Sequence, residues 1–166
     1  MTKANCILVA EDDDNDAFFI EHAFRAADLQ QPLQRVRDGQ ETIDYLSGVG
    51  AFADRDSHPL PSLLLLDLQM PGKTGWDVLH WLRHQSPLQR LPVIIFSSSA
   101  QRGDIDRAYE MGANSFIVKP SSTHDRVELA KSIKVVWLQF NEPPSACVKG
   151  RASLALPNSS NMQPGI

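Results

Sequence analysis

Residues 63–75 read LLLLDLQMPGKTG, and this stretch decides the fold class. Residues 63–66 are a short, continuous apolar run, which is typical of a strand buried on both faces of a parallel sheet. The run stops at Asp67, and residues 75–84 then place apolar side chains near helical spacing before Pro87. The sequence therefore predicts a buried strand followed by a helix, with a carboxylate at the point where the strand ends.

The same alternation extends along the chain in both directions. Further short apolar runs predict buried strands at 6–10, 33–36, 93–96 and 116–118, and longer amphipathic stretches lie between them. This order of elements indicates an α/β protein built from βα units around a parallel sheet.

The helix boundaries are predicted from caps and apolar spacing. The first helix is expected to begin at Asn15 as its N-cap, the second to span 41–46, and the fourth to span 104–111 and end at Gly112. In the last helix, Ser122 and Asp125 resemble a capping box, and one stripe carries Leu129, Ile133, Val136, Trp137 and Phe140. Residues 47–61 have little periodicity and predict a surface loop.

Composition limits the possible classes of protein. A chain of 166 residues with 42% hydrophobic and 22% charged residues suits one domain with a packed core. The net charge of -4 argues against binding to nucleic acid, and the first apolar run is too short for a signal peptide or a membrane span. We therefore expect a cytoplasmic protein with reduced cysteines, a domain over 3–140 and a flexible Pro- and Ser/Asn-containing tail over 141–166.

Polar residues with complementary chemistry follow the predicted strands. Glu11 and Asp12 come after the first strand, Asp67 after the third, Ser97 and Ser98 after the fourth, and Lys119 with Pro120 after the fifth. Ligands of open parallel sheets bind at the carboxyl ends of the strands, so these groups are expected to share one rim of the sheet.

Three carboxylates at such a rim need a cation. Each pair repels by roughly 4 kcal/mol near 4 Å at an effective dielectric constant of about 20. Magnesium (Mg²⁺) suits a small acidic pocket, because it prefers a few carboxylates together with waters and a phosphate oxygen. An ionised Asp67 can then attack phosphorus, while Lys119 and Ser97 contact the oxygens of the transferred phosphoryl group.

Four sequence blocks at these strand ends carry a resemblance to a known family. Residues 7–16 (ILVAEDDDND), 63–75, 93–98 (VIIFSS) and 113–120 (ANSFIVKP) are similar to the receiver domains of two-component response regulators. The resemblance covers residues 3–140. It implies a CheY-like, flavodoxin-like (βα)5 fold, which is a doubly wound parallel sheet with strand order 2-1-3-4-5.

The resemblance also implies a role for each matching residue. Asp67 corresponds to the phosphoacceptor, Ser97 to the switch hydroxyl, Phe116 to the rotating aromatic, and Lys119 to the lysine that contacts the phosphoryl group. The metal would be held by Glu11, Asp12 as a direct ligand, Asp67 and the backbone carbonyl of Gln69. Ser98, Ser99 and Pro120 would tune the site, and the Lys119–Pro120 bond is expected to be cis.

The implied function is signalling rather than turnover of outside substrates. A receiver catalyses only its own phosphorylation and dephosphorylation, taking its phosphoryl group from a sensor histidine kinase or a phosphotransfer protein. Phosphorylation would remodel the face formed by the fourth helix, fifth strand and fifth helix, which would bind a downstream protein target or form a homodimer.

Two features resemble the single-domain regulators associated with bacterial phytochromes: the long loop before the third strand, and the Val136-Trp137-Leu138 end of the last helix. The kinase would then be a bacteriophytochrome, and the alternative is a general single-domain relay regulator. Two departures stand out, since Phe116 replaces the commoner tyrosine and Glu11 replaces an aspartate.

Competing interpretations remain at this stage. Residues 11–14 alone could be a solvated turn that caps a helix. The five histidines show no metal spacing, and His22, His80 and His84, which lie on predicted helices, are expected to face solvent. A haloacid-dehalogenase-type phosphatase also uses a strand-end aspartate, but it needs a second aspartate where this chain has Gln69. A pseudo-receiver that only binds proteins would not need the full set of site residues.

Overall fold

A five-stranded parallel sheet forms the centre of the protein. A computed structural model describes residues 6–144, with strands β1 (Cys6–Ala10), β2 (Leu33–Val36), β3 (Pro61–Leu66), β4 (Val93–Ser97) and β5 (Ser115–Val118). The strand order is β2-β1-β3-β4-β5, and every pairing is parallel. The predicted flavodoxin-like fold is confirmed. The flexible tail predicted for 141–166 lies, from 145 onward, outside the described residues.

Helices cover both faces of the sheet. They are α1 (Asp14–Ala26), α2 (Gly39–Ser47), α3 (Gly75–His84), α4 (Arg102–Glu110) and α5 (Thr123–Ile133), and a π-helix, Lys134–Phe140, continues from α5. Buried residues of α1 and α5 share one apolar cluster, and those of α2, α3 and α4 share the other.

The apolar strands are continuous because both faces of the sheet are buried. In β3, Leu63 and Leu65 pack into the cluster with α1 and α5, whereas Leu64 and Leu66 pack into the opposite cluster. Successive strand residues point to opposite faces, so a strand between two helical layers needs apolar residues at every position. This explains why the leucine run of 63–66 ends where the chain leaves the sheet.

Several helices begin or end away from the predicted residues. The side chain of Asp13, not Asn15, caps α1 by accepting a hydrogen bond from the Asp16 backbone N–H. Likewise α2 begins at Gly39 rather than 41, and α4 spans Arg102–Glu110 rather than 104–111. The early turns are polar, so apolar periodicity does not mark them, and more than one residue at the beginning of α1 has a side chain suited to an N-cap.

The segment predicted as a surface loop at 47–61 is partly structured. It contains a short 3-10 helix, Gly50–Phe52, and the Arg55 guanidinium donates to the backbone carbonyls of Tyr45, Leu46 and His58. These bonds satisfy carbonyls at the end of α2, where Gly48 adopts a left-handed conformation with φ 68°. The loop is therefore anchored to the domain.

The apolar stripe predicted for the last helix is correct for Leu129, Ile133 and Trp137, which pack in or against one apolar cluster, and wrong for its other two members. Val136 is 53% exposed and Phe140 is 78% exposed, although both were expected on the stripe with the buried Ile133. Residues 134–140 form a π-helix, in which backbone hydrogen bonds join residues i and i+5. Side chains placed at α-helical spacing therefore no longer all lie on one face of the helix.

Candidate functional site

Backbone hydrogen bonds between neighbouring strands fix where the polar residues emerge. The Asp67 N–H donates to Ala10 O at 3.1 Å, and the Lys119 N–H donates to Ser97 O at 2.9 Å. Asp67 and Lys119 therefore leave the sheet level with the ends of β1 and β4. The predicted rim is formed, and it carries Glu11, Asp67, Ser97 and Lys119.

The ammonium group of Lys119 lies at the centre of this rim. Its Nζ donates to Glu11 Oε2 at 2.6 Å, to Asp67 Oδ2 at 2.8 Å and to Asp16 Oδ2 at 2.8 Å. The side chains of Glu11 and Asp67 are only 2% and 8% exposed, whereas that of Asp16 is 37% exposed. One cation thus compensates three carboxylates, two of which are shielded from water.

Asp16 is the site residue that sequence reasoning missed. It lies in the first turn of α1, four residues after Asp12, and it faces Lys119 from the helix rather than from a strand end. The sequence did contain a sign of this role, because a helix that directly follows a strand begins at the same rim, and Asp16 lies in the first turn of such a helix. The inspection of strand ends alone could not find it.

Burial and charge shift the ionisation of this group of residues. Burial raises the pKa of Glu11 to about 7, because the loss of water around its carboxylate outweighs the hydrogen bond and attraction of Lys119, and the Asp67 carboxylate adds repulsion. For Lys119, burial alone would lower the pKa, but its hydrogen bonds to Asp16, Asp67 and Glu11 raise it above the ordinary lysine value. The lysine is therefore a permanent cation at neutral pH.

The acidic residues have the arrangement that a hard divalent cation needs. Carboxylate oxygens of Glu11, Asp12 and Asp67 all lie within 4.8 Å of one another, and Asp12 is exposed on the solvent side. Opposite ligands of an octahedral Mg²⁺ ion are about 4.2 Å apart, so small side-chain movements would bring these oxygens to the distances that Mg²⁺ requires. Gln69, the predicted backbone ligand, is close to Asp67: its N–H donates to Asp67 Oδ1 at 3.2 Å.

The turn after Asp67 depends on close backbone packing at Gly75. A Cβ atom at this position would overlap the carbonyl oxygen of Asp67 and lie 2.8 Å from the Leu68 Cα. Thr74 and Asp77 form a capping box that begins α3 at this glycine. The glycine of the 63–75 block therefore allows α3 to begin directly against the strand that carries Asp67.

The predicted switch and tuning residues connect the rim to α4. Ser97 Oγ accepts from the Ser99 N–H at 3.2 Å, and the Ser99 hydroxyl donates to Asp104 Oδ2 in the first turn of α4 at 2.6 Å. Ser98 is exposed beside them. The switch hydroxyl and the beginning of α4 are therefore two hydrogen bonds apart.

Phe116 and Pro120 lie on either side of the end of β5. The Phe116 ring packs, partly buried, against the cluster that contains α4, and its N–H donates to the Tyr109 hydroxyl at 3.2 Å. The carbonyl of Pro120 accepts from Arg126 Nε at 3.1 Å. The Lys119–Pro120 bond is trans, so the prediction of a cis bond was wrong; trans is the form that X-Pro bonds intrinsically favour.

No helix within residues 6–144 is both long and apolar enough to cross a membrane. The rim combines a buried aspartate carboxylate, an ammonium group, a hydroxyl and three carboxylates with the spacing for a metal ion. These are the parts that phosphoryl transfer to a carboxylate requires.

Comparison with known proteins gives consistent results. Residues 7–133 match the family described as the response regulator receiver domain. The response regulator Rcp1 of Synechocystis sp. is 28% identical over 84% of this chain and 93% of that protein. A Mn²⁺-bound structure of a response regulator named Rcp1 covers 85% of this chain and 99% of its own, at 27% identity and a TM-score of 0.75.

Two further solved structures are similar over nearly their whole length. RPA3017, a response regulator in red light signaling of R. palustris, has a TM-score of 0.81 and 37% identity, covering 85% of this chain and 99% of its own. The phosphorylated cyanobacterial phytochrome response regulator RcpA has a TM-score of 0.78 and 31% identity, covering 86% and 100%.

Proposed function

Because the chain belongs to the response regulator receiver domain family, we propose that it is a signalling phosphoacceptor in which Asp67 receives the phosphoryl group of a phosphohistidine. The observation that carries this proposal is the contact of Asp67 Oδ2 with Lys119 Nζ at 2.8 Å, beside a cluster of carboxylates with the spacing for a metal ion. The donor would be a sensor histidine kinase or a phosphotransfer protein.

In the transfer step, a lone pair of the Asp67 carboxylate forms the O–P bond while the P–N bond of the phosphohistidine breaks. The electron pair of that bond stays on the imidazole nitrogen. Lys119, held at the end of β5 by its hydrogen bonds, stabilises negative charge on one phosphoryl oxygen. Asp67 is only 8% exposed, so little water competes with the incoming group.

Mg²⁺ would be held by Glu11, Asp12, Asp67 and the Gln69 carbonyl, and it would supply positive charge opposite the oxygens of the phosphoryl group. The fit rests on oxygen donors within 4.8 Å of one another and on the exposed Asp12, which leaves the solvent side open for water ligands. The Mn²⁺-bound structure of Rcp1, a similar protein, supports the binding of a divalent metal ion by this chain.

The readout would run from Ser97 to α4. A phosphoryl oxygen on Asp67 would draw the Ser97 hydroxyl away from the Ser99 N–H, a bond of 3.2 Å between neutral groups. Because Ser99 also holds Asp104, this movement would displace the first turn of α4. Phe116 would then turn into the vacated space and remodel the α4-β5-α5 face for a downstream protein or for a homodimer.

The input would be light sensed by a phytochrome kinase. This part of the proposal is supported by RPA3017, which acts in red light signaling, and by RcpA, a phytochrome response regulator. The alternative is a general relay regulator with another kinase. Phosphotransfer from a purified bacteriophytochrome kinase, compared with transfer from an unrelated histidine kinase, distinguishes the two.

The phosphoacceptor role is tested with acetyl phosphate and Mg²⁺. We expect one acid-labile phosphoryl group per chain, measured by intact-protein mass spectrometry, and no labelling of Asp67→Asn. The matched control is Asp106→Asn, because Asp106 is 53% exposed and pairs with Arg102 within α4, away from the acidic residues of the rim. Labelling that persists in Asp67→Asn would refute the assignment, multiple turnover would indicate a phosphatase, and no labelling of the wild type would indicate a pseudo-receiver.

A further inference from the structure

Two histidines lie one turn apart at the end of α3, far from the phosphorylation site. The rings of His80 and His84 are stacked with centroids 4.4 Å apart and an interplanar angle of 24°, and both side chains are exposed. Their exposure confirms the sequence prediction. Their i,i+4 spacing on one helix, however, was not recognised as a metal-binding spacing.

The hydrogen bond of His84 defines which of its nitrogens is available. Its Nδ1 lies 2.8 Å from the backbone carbonyl of His80. A carbonyl oxygen only accepts, so Nδ1 carries the proton, and Nε2 of the neutral ring keeps its lone pair. Metal-ligating histidines are typically oriented in this way, with the second ring nitrogen donating to a carbonyl or a carboxylate.

We propose that His80 and His84 together bind a borderline divalent transition-metal ion, of the class of Ni²⁺, Cu²⁺ and Zn²⁺, through their imidazole nitrogens. Histidines at i and i+4 on one helical face are the pair that zinc enzymes use to hold their metal. Imidazole suits these ions, whereas Mg²⁺ prefers oxygen ligands, so Mg²⁺ would not compete for the histidine pair.

Arg83, the charged residue next to His84 in the sequence, donates its hydrogen bonds to residues outside α3. The guanidinium of Arg83 donates to the carbonyls of Gly112 and Leu91, on the other side of the helix end. Leu91 precedes β4, so this end of α3 lies at the amino ends of the strands, opposite the rim that carries Asp67. Two protein ligands leave coordination positions for water, and no step of the proposed phosphoryl transfer depends on the site.

The test is a calorimetric titration of the full chain with Ni²⁺ in a large excess of Mg²⁺, which occupies the acidic rim. We expect one Ni²⁺ ion bound per chain by the wild type. Changing either His80→Ala or His84→Ala should weaken binding by about 100-fold, because the second imidazole binds an ion already held by the first at high effective concentration. The control is His22→Ala, since His22 is also exposed and stacks on the Phe18 ring.

Two further measurements test whether the histidine pair holds the ion. Paramagnetic Ni²⁺ should broaden the NMR signals of the last turn of α3 in the wild type and not in His84→Ala. Binding should also weaken on acidification, because protons compete with the metal for imidazole. The proposal is overturned if the wild type shows no binding beyond that of the double alanine variant, if only one of the two histidines matters, or if His22→Ala has the same effect as the other changes.

Discussion

Replacing Lys119 with methionine would leave two buried carboxylates without their cation. Methionine matches the four-atom apolar chain of lysine but lacks the ammonium group that contacts Glu11 and Asp67, whose side chains are 2% and 8% exposed. Removing one partner of a buried ion pair costs about 3–5 kcal/mol, because the remaining charge has lost its water as well as its partner. We expect the free energy of unfolding to fall by about this amount at pH 8 without divalent metal.

The loss should become smaller as the pH is lowered. Burial already raises the pKa of Glu11 to about 7, and without Lys119 this carboxyl group would take up a proton still more readily. A carboxyl group whose pKa is higher in the folded state than in the unfolded state binds more protons when folded, so its contribution to stability increases as the pH falls. Mg²⁺ at pH 8 should also restore part of the loss.

Urea unfolding of both proteins at about pH 8 and about pH 5.5, with a chelator present, measures these effects. The control is Lys131→Met, since Lys131 pairs with Glu128 on the surface, where the side chains are 53% and 52% exposed. Such pairs contribute little because water and salt screen them. Equal losses in the two variants, or a Lys119→Met loss that does not change with pH, would refute the reasoning.

Further predictions concern Glu11 and two glycines. As the pH rises from about 4.5 to about 7, the free energy of unfolding of the wild type should fall by up to about 3 kcal/mol relative to that of Glu11→Gln, measured by urea unfolding without metal. The reason is that the pKa of the Glu11 carboxyl group is raised from 4.5 to about 7 in the folded protein, whereas the glutamine amide does not titrate. Parallel pH profiles of the two proteins would contradict this. Gly75→Ala should destabilise by about 1–3 kcal/mol and slow labelling by acetyl phosphate, because its Cβ would overlap Asp67 O. Gly103→Ala in α4, where a Cβ meets open space, should instead stabilise the folded protein by up to about 1 kcal/mol in thermal unfolding. A loss of stability equal to that of Gly75→Ala would refute the steric argument.

The strands could be predicted because burial on both faces leaves a simple record in the sequence. The observed β1 and β2 have the predicted bounds, and β3 differs only by an earlier beginning at Pro61. The helix α3 also agrees, since its apolar side and its end before Pro87 are both visible in the sequence. The first turns of α1, α2 and α4 were mispredicted because they are polar, so the apolar spacing that marks the packed face of each helix begins only after them.

The site could be predicted where it depends on strand ends and not where it depends on helices. Glu11, Asp67, Ser97 and Lys119 meet because parallel strands end at one edge. Asp16 reaches Lys119 only through the orientation of α1, which Asp13 fixes as its N-cap. The orientation of a helix is a tertiary property, and it cannot be predicted from the spacing of residues at the strand ends.

If Asp67 is phosphorylated as proposed, the relative strength of the contacts predicts which element moves. Lys119 is held by three charged hydrogen bonds of 2.6–2.8 Å, so we expect it to remain at the rim. Ser97 accepts one bond of 3.2 Å from the Ser99 N–H, and such a bond between neutral groups contributes only about 1 kcal/mol. We therefore expect Ser97 to be the group that changes partner at the lower cost, and the bond from Ser99 to Asp104 would carry its movement to the first turn of α4.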